Sequence, residues 1–218
     1  MQGDALDSVL AEQLTYYRAA AAVYESRSLP GWGGAEVAAA LEAFGPSGDI
    51  LELACGPGMW TELLVRHAKS MTALDGAPEM LARARARAGC ERVQFVEADL
   101  FSWRPERRYD VVFFGFWLSH VPPRRFEAFW SLIDECLASG GRVFFADDAV
   151  RTPEELIEGE ASSVIERRLD DGSAYRIVKV PYGLSELEAR LAGLGWRFTF
   201  TQTSGGFYWG SGGRRDGA

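Results

Sequence analysis

The sequence predicts an α/β fold: a three-layer αβα sandwich built on a doubly wound, mostly parallel seven-stranded sheet with an antiparallel C-terminal hairpin. Three observations support this prediction. Between residues 49 and 147, apolar runs of strand length alternate with segments whose apolar residues recur at helical spacing. Some of these runs are apolar almost throughout, which is typical of strands buried on both faces. After residue 148 the pattern changes to closely spaced turn signals, which predict antiparallel pairs.

The composition limits the class of protein. The chain has 218 residues, 47% hydrophobic and 25% charged, so it can bury one large core. Its formal net charge of −8 gives no general attraction to nucleic acid or to an anionic membrane. Cys55, Cys90 and Cys136 are scattered without zinc or disulfide spacing, so we expect reduced thiols and a cytoplasmic protein. No apolar run approaches the roughly 18 residues of a membrane span, and no metal is implied.

The first units lie between residues 50 and 90. An apolar strand is predicted at 50–54, and Trp60, Leu63, Leu64 and His67 then recur at the spacing of one helical face. The segment "SMTALD" predicts the second strand. "APEMLARARARAGC" predicts a helix with a proline in its first turn. We interpret His67 as a core histidine and the arginines of this helix as a solvated face.

The next units repeat the alternation. "RVQFVEAD", "YDVVFFGF" and "RVFFAD" predict three strands. Between the last two lies a helix that opens at Pro122 and Pro123 and ends at Gly140 and Gly141. Its predicted core stripe consists of Phe126, Phe129, Trp130, Ile133 and Leu137. This order predicts a parallel sheet with helices on both faces, because parallel strands need crossover connections.

The last third of the chain carries capping and turn signals. A capping box at residues 152–155 predicts a short helix, and Asp171-Gly172 predicts the turn of a hairpin. A second capping box, from Ser185 to Glu188, predicts the start of a helix. "WRFTFTQT" and "FYWGSG" predict the two antiparallel strands that close the sheet.

Two glycines stand at the turn after the first strand. In a doubly wound sheet, ligands bind beyond the carboxyl ends of the strands, where the strand order reverses. Gly56 and Gly58 lie at that place, and glycine there allows positive φ and the close approach of a ligand. The dinucleotide fingerprint G-x-G-x-x-G is incomplete, because Thr61 takes its third position. The glycine pair is also compatible with an ordinary tight turn.

Acidic residues end the next two strands on the same edge. At the end of the second strand, the carboxylate of Asp75 can accept hydrogen bonds from both hydroxyls of a ribose. At the end of the third, Asp99 can accept from an adenine amino group while the N–H of Leu100 donates to a ring nitrogen. Either acid alone is equally compatible with a cap. Together with the glycine turn they predict an adenosine-bearing ligand.

Five segments carry a family resemblance: "LELACGPGMWT", "MTALDGAPEML", "VQFVEADLFSW", "YDVVFFGFWLSHVPP" and "GGRVFFADD". In this order and spacing they resemble a class I S-adenosylmethionine-dependent methyltransferase, most closely the small bacterial enzymes of that superfamily. The resemblance covers essentially the whole chain, including "YYRAAAAVYE" and "GSAYRIVKV". It implies a Rossmann-like methyltransferase fold in one domain. The four parts are an N-terminal helical lid (1–45), a cofactor-binding core (46–148), a helix and hairpin insertion (149–183), and a final helix with antiparallel strands (184–212).

The resemblance also implies the residues that bind the cofactor. Those expected at the methionine portion are Glu52, the Ala54–Gly58 loop with Gly56 and Gly58, and Phe116. Those expected at the nucleoside are Asp75, Gly76, Met80, Asp99 and Leu100. Tyr16 resembles a family tyrosine that folds over the cofactor, and the alternative is packing on the sheet. Thr61 is expected either at the cofactor carboxylate or within the first helical turn.

The implied reaction is an in-line displacement in which O, N, S or C of an acceptor attacks the sulfonium methyl and S-adenosylhomocysteine leaves. His120 follows the fourth strand and is the candidate base, because an imidazole of ordinary pKa near 6.5 can take a proton at neutral pH. Its alternative is packing at the following helix start. The expected substrate pocket consists of Tyr17, Trp32, Trp117 and Tyr182, with Trp117 alternatively a core residue.

Three functions are compatible with these residues. The first is a methyltransferase for a small-molecule acceptor, with no nucleic acid or membrane partner. The second is a methyltransferase that acts on protein or RNA, which the acidic charge and the lack of an added binding domain disfavour. The third is a nucleotide-binding protein without transferase activity. The identity of the acceptor, the atom methylated and the oligomeric state are not specified by the sequence.

Overall fold

A computed structural model describes residues 2–24, 33–88, 92–159 and 161–215. Its helices are α1 Gln2–Ala20, α2 Gly34–Phe44, α3 Thr61–Leu64, α4 Pro78–Ala88, α5 Phe126–Cys136 and α6 Leu184–Gly193. Its strands are β1 Gly48–Leu53, β2 Ala68–Asp75, β3 Val93–Glu97, β4 Tyr109–Gly115, β5 Leu137–Asp148, β6 Val164–Arg168, β7 Ala174–Val178, β8 Trp196–Gln202 and β9 Phe207–Arg214.

The central sheet has seven strands in the order β3-β2-β1-β4-β5-β9-β8. Strands β1 to β5 pair in parallel, whereas β9 is antiparallel to both β5 and β8. The strand order reverses between β1 and β4, which is the place where doubly wound sheets bind ligands. The predicted fold class is therefore confirmed.

Helices cover both faces of this sheet. Successive residues of a strand point to opposite faces, so Val112 and Phe114 of β4 pack in one core and Val111 and Phe113 in the other. The first core includes α5 and α6, and the second includes α2, α3 and α4. This two-sided burial explains the nearly continuous apolar run of the fourth predicted strand.

The predicted hairpin forms a separate sheet of two strands, β6 and β7. Ile165 and Ile177 of this hairpin pack against Tyr16 and Ala20 of α1. The hairpin therefore holds α1 along the edge where β1 to β4 end.

Three element boundaries differ from the predictions. The helix after residue 122 ends at Cys136, and Leu137 begins β5 instead of completing the helical stripe. Ser185 lies inside the first turn of α6, whose N-cap is Gly183. The capping box from Thr152 to Glu155 is present but encloses only one 3-10 turn.

Within the part of the chain that the structure describes, no helix is long and apolar enough to cross a membrane. The same residues contain no group of three or more His, Cys, Asp or Glu side chains arranged to hold a metal ion.

Candidate active site

One cavity of about 370 Å³ lies at the carboxyl ends of β1 to β4. Its volume falls within the range of about 300–1,000 Å³ that small-molecule sites occupy. Its floor, formed by residues that follow the four strands, consists of Ala54, Gly56, Asp75, Gly76, Ala98, Asp99, Leu100, Phe101, Gly115, Phe116 and Trp117. Its roof is a face of α1 consisting of Asp7, Leu10, Ala11, Gln13, Leu14 and Tyr17. Tyr24, Met80, His120 and Arg125 complete the lining.

The loop after β1 shows why the sequence carries two glycines. Ala54 and Gly56 have positive φ angles of 52° and 53°, and both line the cavity. A Cβ built on Gly56 would meet no atom within 4 Å, so a ligand can approach the backbone there. At Gly58, where φ is 83°, a Cβ would lie 2.8 Å from the Cα of Ala84 in α4. Gly58 does not line the cavity, and its lack of a side chain allows α4 to pack against the loop.

Asp75 caps two backbone N–H groups and also lines the cavity. Its Oδ2 accepts a hydrogen bond from the Gly56 N–H and its Oδ1 one from the Ala77 N–H, each at 2.8 Å. A carboxylate has about four acceptor positions, so Asp75 retains acceptor capacity for a ribose hydroxyl in the cavity. Burial raises the pKa of Asp75, and the backbone hydrogen bonds oppose that rise. The carboxylate therefore fixes the loop of Gly56 while it lines the cavity.

Asp99 is held in the same manner at the end of β3. Its Oδ1 accepts a hydrogen bond from the Phe101 N–H at 3.0 Å, and its Oδ2 one from the Ser102 hydroxyl at 3.3 Å. Leu100 lines the cavity beside it, and Met80 of α4 also lines the cavity, with 1% of its surface exposed. These side chains fit the flat, apolar faces of an adenine.

Glu52 and Thr61, both named as cofactor residues from the resemblance, are not among the residues that line the cavity, and Thr61 takes its alternative place in the first turn of α3. Both are buried, and the Thr61 hydroxyl donates a hydrogen bond of 2.5 Å to Oε2 of Glu52. Desolvation by burial raises the pKa of Glu52 to about 8. The pair lies beneath the glycine loop, where it links β1 to the first turn of α3.

Phe116 adopts an unusual backbone conformation directly after β4. Its φ is 56°, a left-handed conformation that costs energy in a bulky residue and is often found at functional sites. Its N–H donates to the Ala146 carbonyl at 2.7 Å, and its ring packs on Phe207 with the centroids 4.8 Å apart. This strained turn presents Phe116 to the cavity where the resemblance places the transferring methyl group.

Tyr17 and His120 form a hydrogen-bonded pair at the other end of the cavity. The Tyr17 hydroxyl lies 2.8 Å from His120 Nε2, and His120 Nδ1 lies 2.5 Å from the Val178 carbonyl oxygen. Desolvation holds the pKa of His120 well below its usual range, with the positive charges of Lys179 and Arg167 adding to the effect. Desolvation likewise raises the pKa of Tyr17 well above its usual range. Both ring nitrogens of His120, the candidate base, therefore have hydrogen-bond partners. The Tyr17 hydroxyl lies between Nε2 and the cavity.

A buried ionic network holds the turn that carries His120. Oδ2 and Oδ1 of Asp147 accept hydrogen bonds from the N–H and the hydroxyl of Ser119, each at 2.8 Å. Lys179 Nζ donates to the Ser119 hydroxyl at 3.1 Å and lies 3.0 Å from Asp148 Oδ1. Because a buried charge is costly unless it is paired, this network holds the end of β5 and Lys179, which follows β7, at the His120 turn.

Two aromatic residues named as site residues from the sequence lie outside the cavity. Tyr16 packs with Tyr175 and the hairpin core and does not line the cavity, whereas Tyr17 does. Tyr182 is buried against Phe126 on the α5 face of the sheet, away from the cavity. Trp117 lines the cavity, as expected, with its ring 5.8 Å from Phe101. Trp32 lies outside the described residues.

The remaining lining residues of α1 were not predicted from the sequence. Leu10, Gln13, Leu14 and Tyr17 recur at i, i+3, i+4 and i+7, which is the spacing of one helical face. The same helical spacing, counted from Tyr17 toward the N-terminus, could have predicted Gln13 as a lining residue. Arg125 had no such signal; it is held at the cavity by Asp7 of α1 at 2.8 Å.

Comparison with known proteins agrees with this geometry. The family described as "Methyltransferase domain" matches residues 50–141. The trans-aconitate 2-methyltransferase of Escherichia coli O7:K1 is 37% identical over 111 residues, which cover 50% of this chain and 40% of that protein. The DhpI–SAH complex is 39% identical with a TM-score of 0.84, covering 96% of this chain and 98% of that one. The DhpI–SAM–HEP complex is 40% identical with a TM-score of 0.84, covering 94% and 97%.

The chain belongs to the class I S-adenosylmethionine-dependent methyltransferases. The residues present fit this cofactor. A bare backbone at Gly56, a carboxylate at Asp75 with unused acceptor positions, and an apolar slot at Met80 and Leu100 lie side by side in one cavity. S-adenosylmethionine is therefore its cofactor.

Proposed function

We propose that this protein transfers the methyl group of S-adenosylmethionine to a small-molecule acceptor bound between α1 and His120. The observation that carries the proposal is the single cavity that extends from Asp75 and Asp99 to Tyr17 and His120. This cavity contains both the nucleoside site and the acceptor site, and α1 covers both of them. Bound S-adenosylmethionine supplies an activated methyl group, so the chain contributes binding, alignment and exclusion of water.

Different residues bind the cofactor at one end of the cavity and the acceptor at the other. Asp75 binds the ribose, Asp99 and the Leu100 N–H bind the adenine, and the Ala54–Gly56 backbone binds the methionine portion. Tyr17 and His120 face the acceptor at the opposite end. Holding both reactants in line can supply about 7–11 kcal/mol of the barrier reduction, so alignment is the main contribution of the chain.

The roof of the cavity favours a small acceptor. Three ion pairs fasten α1, which contributes Glu12 to Arg176, Arg18 to Glu79 and Asp7 to Arg125. Together with the packing of Tyr16 and Ala20 against the hairpin, these pairs hold α1 over a cavity of about 370 Å³, which suits a small molecule. A protein or RNA acceptor would have to reach beneath this helix, and we therefore rank it second.

Tyr17 and His120 can carry the proton that the acceptor releases. As the new bond to the methyl group forms, the acceptor X–H passes its proton to Tyr17 Oη, and the Tyr17 proton moves to His120 Nε2. The imidazolium then carries the positive charge that the departing thioether has lost, so charge is conserved. His120 accepts this charge only transiently, because its surroundings hold its pKa well below the ordinary value.

The relatives suggest where to search for the acceptor. Trans-aconitate, the acceptor in the name of the Escherichia coli relative, is a small carboxylic acid, although the match spans only 40% of that protein. The DhpI–SAM–HEP complex holds a third component beside the cofactor. We therefore propose a small acid with an oxygen nucleophile. The buried free thiols of Cys55 and Cys136 suit a reducing compartment, and we propose the cytoplasm.

The test uses S-adenosylmethionine labelled with ¹³C at the methyl group. The protein is incubated with trans-aconitate and a panel of small carboxylic and hydroxy acids, and in parallel with total RNA and with a protein extract. We expect the label in one small acid, detected by mass spectrometry. The matched variants are Asp75→Ala, which should lose transfer, and Asp134→Asn at the opposite end of the sheet, which should keep it. Label found only in RNA or protein would contradict the proposal.

A further inference from the structure

The peptide of Val178 contacts two residues that line the acceptor end of the cavity. Its N–H donates a hydrogen bond to Gln13 Oε1 at 2.9 Å, and its carbonyl oxygen lies 2.5 Å from His120 Nδ1. Val178 is buried, as are Gln13 and His120, each with 3% of its surface exposed. One rigid peptide thus determines how both side chains use their hydrogen-bonding atoms.

The carbonyl of Val178 fixes the tautomer of His120. A carbonyl oxygen only accepts, so Nδ1 carries the hydrogen of a neutral imidazole. Nε2 is then an acceptor, and the Tyr17 hydroxyl at 2.8 Å must donate to it. Because its only hydrogen is used, the Tyr17 oxygen offers lone pairs alone to the cavity. The pKa of His120, well below its ordinary value because of burial, agrees with a neutral ring.

The N–H of Val178 fixes the amide of Gln13 in the same way. An N–H only donates, so the atom that faces it is Oε1, and the NH₂ group of Gln13 points elsewhere. Gln13 lines the cavity, and its Nε2 makes no hydrogen bond to any residue within the described ranges. A buried amide normally satisfies its hydrogens, so an unpartnered NH₂ in a cavity lining is a site for a ligand oxygen.

We infer that Val178 sets the hydrogen-bond polarity of the acceptor site, where Gln13 donates to an oxygen of the methyl acceptor and Tyr17 accepts from its X–H group. This inference rests on the proposed function and narrows its substrate class. Residues four apart on a helix have Cβ atoms about 5–6 Å apart, so one small molecule can contact both side chains. The matching chemistry is a hydroxyl or N–H beside a carbonyl or acid oxygen, as in a hydroxy acid. Gln13 is thereby a specificity residue and Val178 a positioning residue.

The first test determines which ring nitrogen of His120 carries the hydrogen, and it needs no methyl acceptor. The chain has two histidines, so ¹⁵N-imidazole NMR of the S-adenosylhomocysteine complex gives two sets of signals. The set that shifts in the Tyr17→Phe variant belongs to His120. We expect it to show Nδ1 protonated and Nε2 unprotonated near neutral pH. A protonated Nε2 would overturn the inference whatever the acceptor proves to be.

The second test compares Gln13→Glu with Gln94→Glu, the same change at an exposed position of β3. Glutamate keeps an oxygen for the Val178 N–H but replaces the NH₂ donor by an anionic oxygen. With lactate, a hydroxy acid, as the acceptor, we expect Gln13→Glu to raise the acceptor KM at least ten-fold and to change the Kd of S-adenosylhomocysteine less than two-fold. Methyl transfer with an unchanged KM would overturn the inference. No transfer by the wild-type protein to any small acid would count against the proposed function instead, and the NMR result would still decide the polarity.

Discussion

Gly58 and Ala84 lie so close that no side chain fits between them. A Cβ at Gly58 would lie 2.8 Å from the Ala84 Cα and 3.0 Å from its Cβ. The first glycine of the pair, Gly56, has open space at the same atom. The two glycines therefore serve different purposes, one for a ligand and one for the packing of α4, and they can be separated by mutation.

The Gly58→Ala variant should be markedly less stable than the wild type. It combines a positive φ with a backbone clash, and overpacking typically costs about 1–3 kcal/mol in addition to the conformational strain. The matched control is Gly172→Ala in the hairpin turn, where φ is 88° and a Cβ would meet nothing within 4 Å. Urea unfolding measures both variants. Equal losses of unfolding free energy in the two variants would mean that the clash with Ala84 does not reduce stability.

The Gly56→Ala variant should lose cofactor affinity rather than stability. Its added methyl group meets no protein atom, so its unfolding free energy should resemble that of Gly172→Ala. The methyl group would occupy the space where the cofactor approaches the backbone. We expect calorimetry to give a Kd for S-adenosylhomocysteine at least ten-fold weaker than in the wild type. An unchanged Kd would place the methionine portion elsewhere.

Glu52 should make the cofactor-free protein less stable as the pH rises. Its pKa is raised from 4.5 to about 8 by burial, so the folded state holds a proton that the unfolded state releases. The stability that this proton confers is fully present below about pH 4.5 and is lost as the pH rises through about 8. At about 1.4 kcal/mol per pKa unit, the loss is on the order of 3–5 kcal/mol. Urea unfolding at pH 5 and pH 8.5 measures it.

The control for Glu52 is the Glu52→Gln variant, which resembles the protonated acid and cannot ionise. Relative to the wild type, this variant should gain stability between pH 5 and pH 8.5. Other groups titrate equally in both proteins, so the difference isolates residue 52. A difference that stays constant with pH would show that Glu52 is ionised throughout.

The Tyr17→Phe variant should bind the cofactor normally but transfer methyl groups slowly. It removes the hydroxyl that lies 2.8 Å from His120 Nε2 and lines the acceptor end of the cavity. We expect kcat/KM for the acceptor to fall about 10²- to 10⁴-fold, the scale of one proton-transfer group. Tyr16→Phe is the matched control, since Tyr16 packs against the hairpin. Equal rates for the two variants would remove Tyr17 from the reaction.

The architecture could be predicted because its signals are local. Apolar runs such as "YDVVFFGF" mark strands buried on both faces, and the order of the units determines a parallel sheet. Boundaries were harder to predict. Leu137 continues the helical spacing of α5, yet it pairs with Tyr109 as the first residue of β5. Strand pairing is a long-range interaction that periodicity does not detect.

The candidate site was predictable where backbone geometry determined it. Asp75, Asp99 and Gly56 line the cavity because strand ends of a parallel sheet share one edge. Side-chain partners were not predictable from spacing. The buried pair of Glu52 and Thr61 forms only through the tertiary fold. The choice between Tyr16 and Tyr17 depends on which face of α1 meets the hairpin.

The most direct measurement is a crystal structure of the protein with S-adenosylhomocysteine. We expect the ribose hydroxyls within hydrogen-bonding distance of Asp75, the adenine beside Asp99 and Leu100, and the sulfur directed toward Tyr17. An adenosyl group bound outside this cavity, or a sulfur that faces away from Tyr17 and His120, would contradict this expectation.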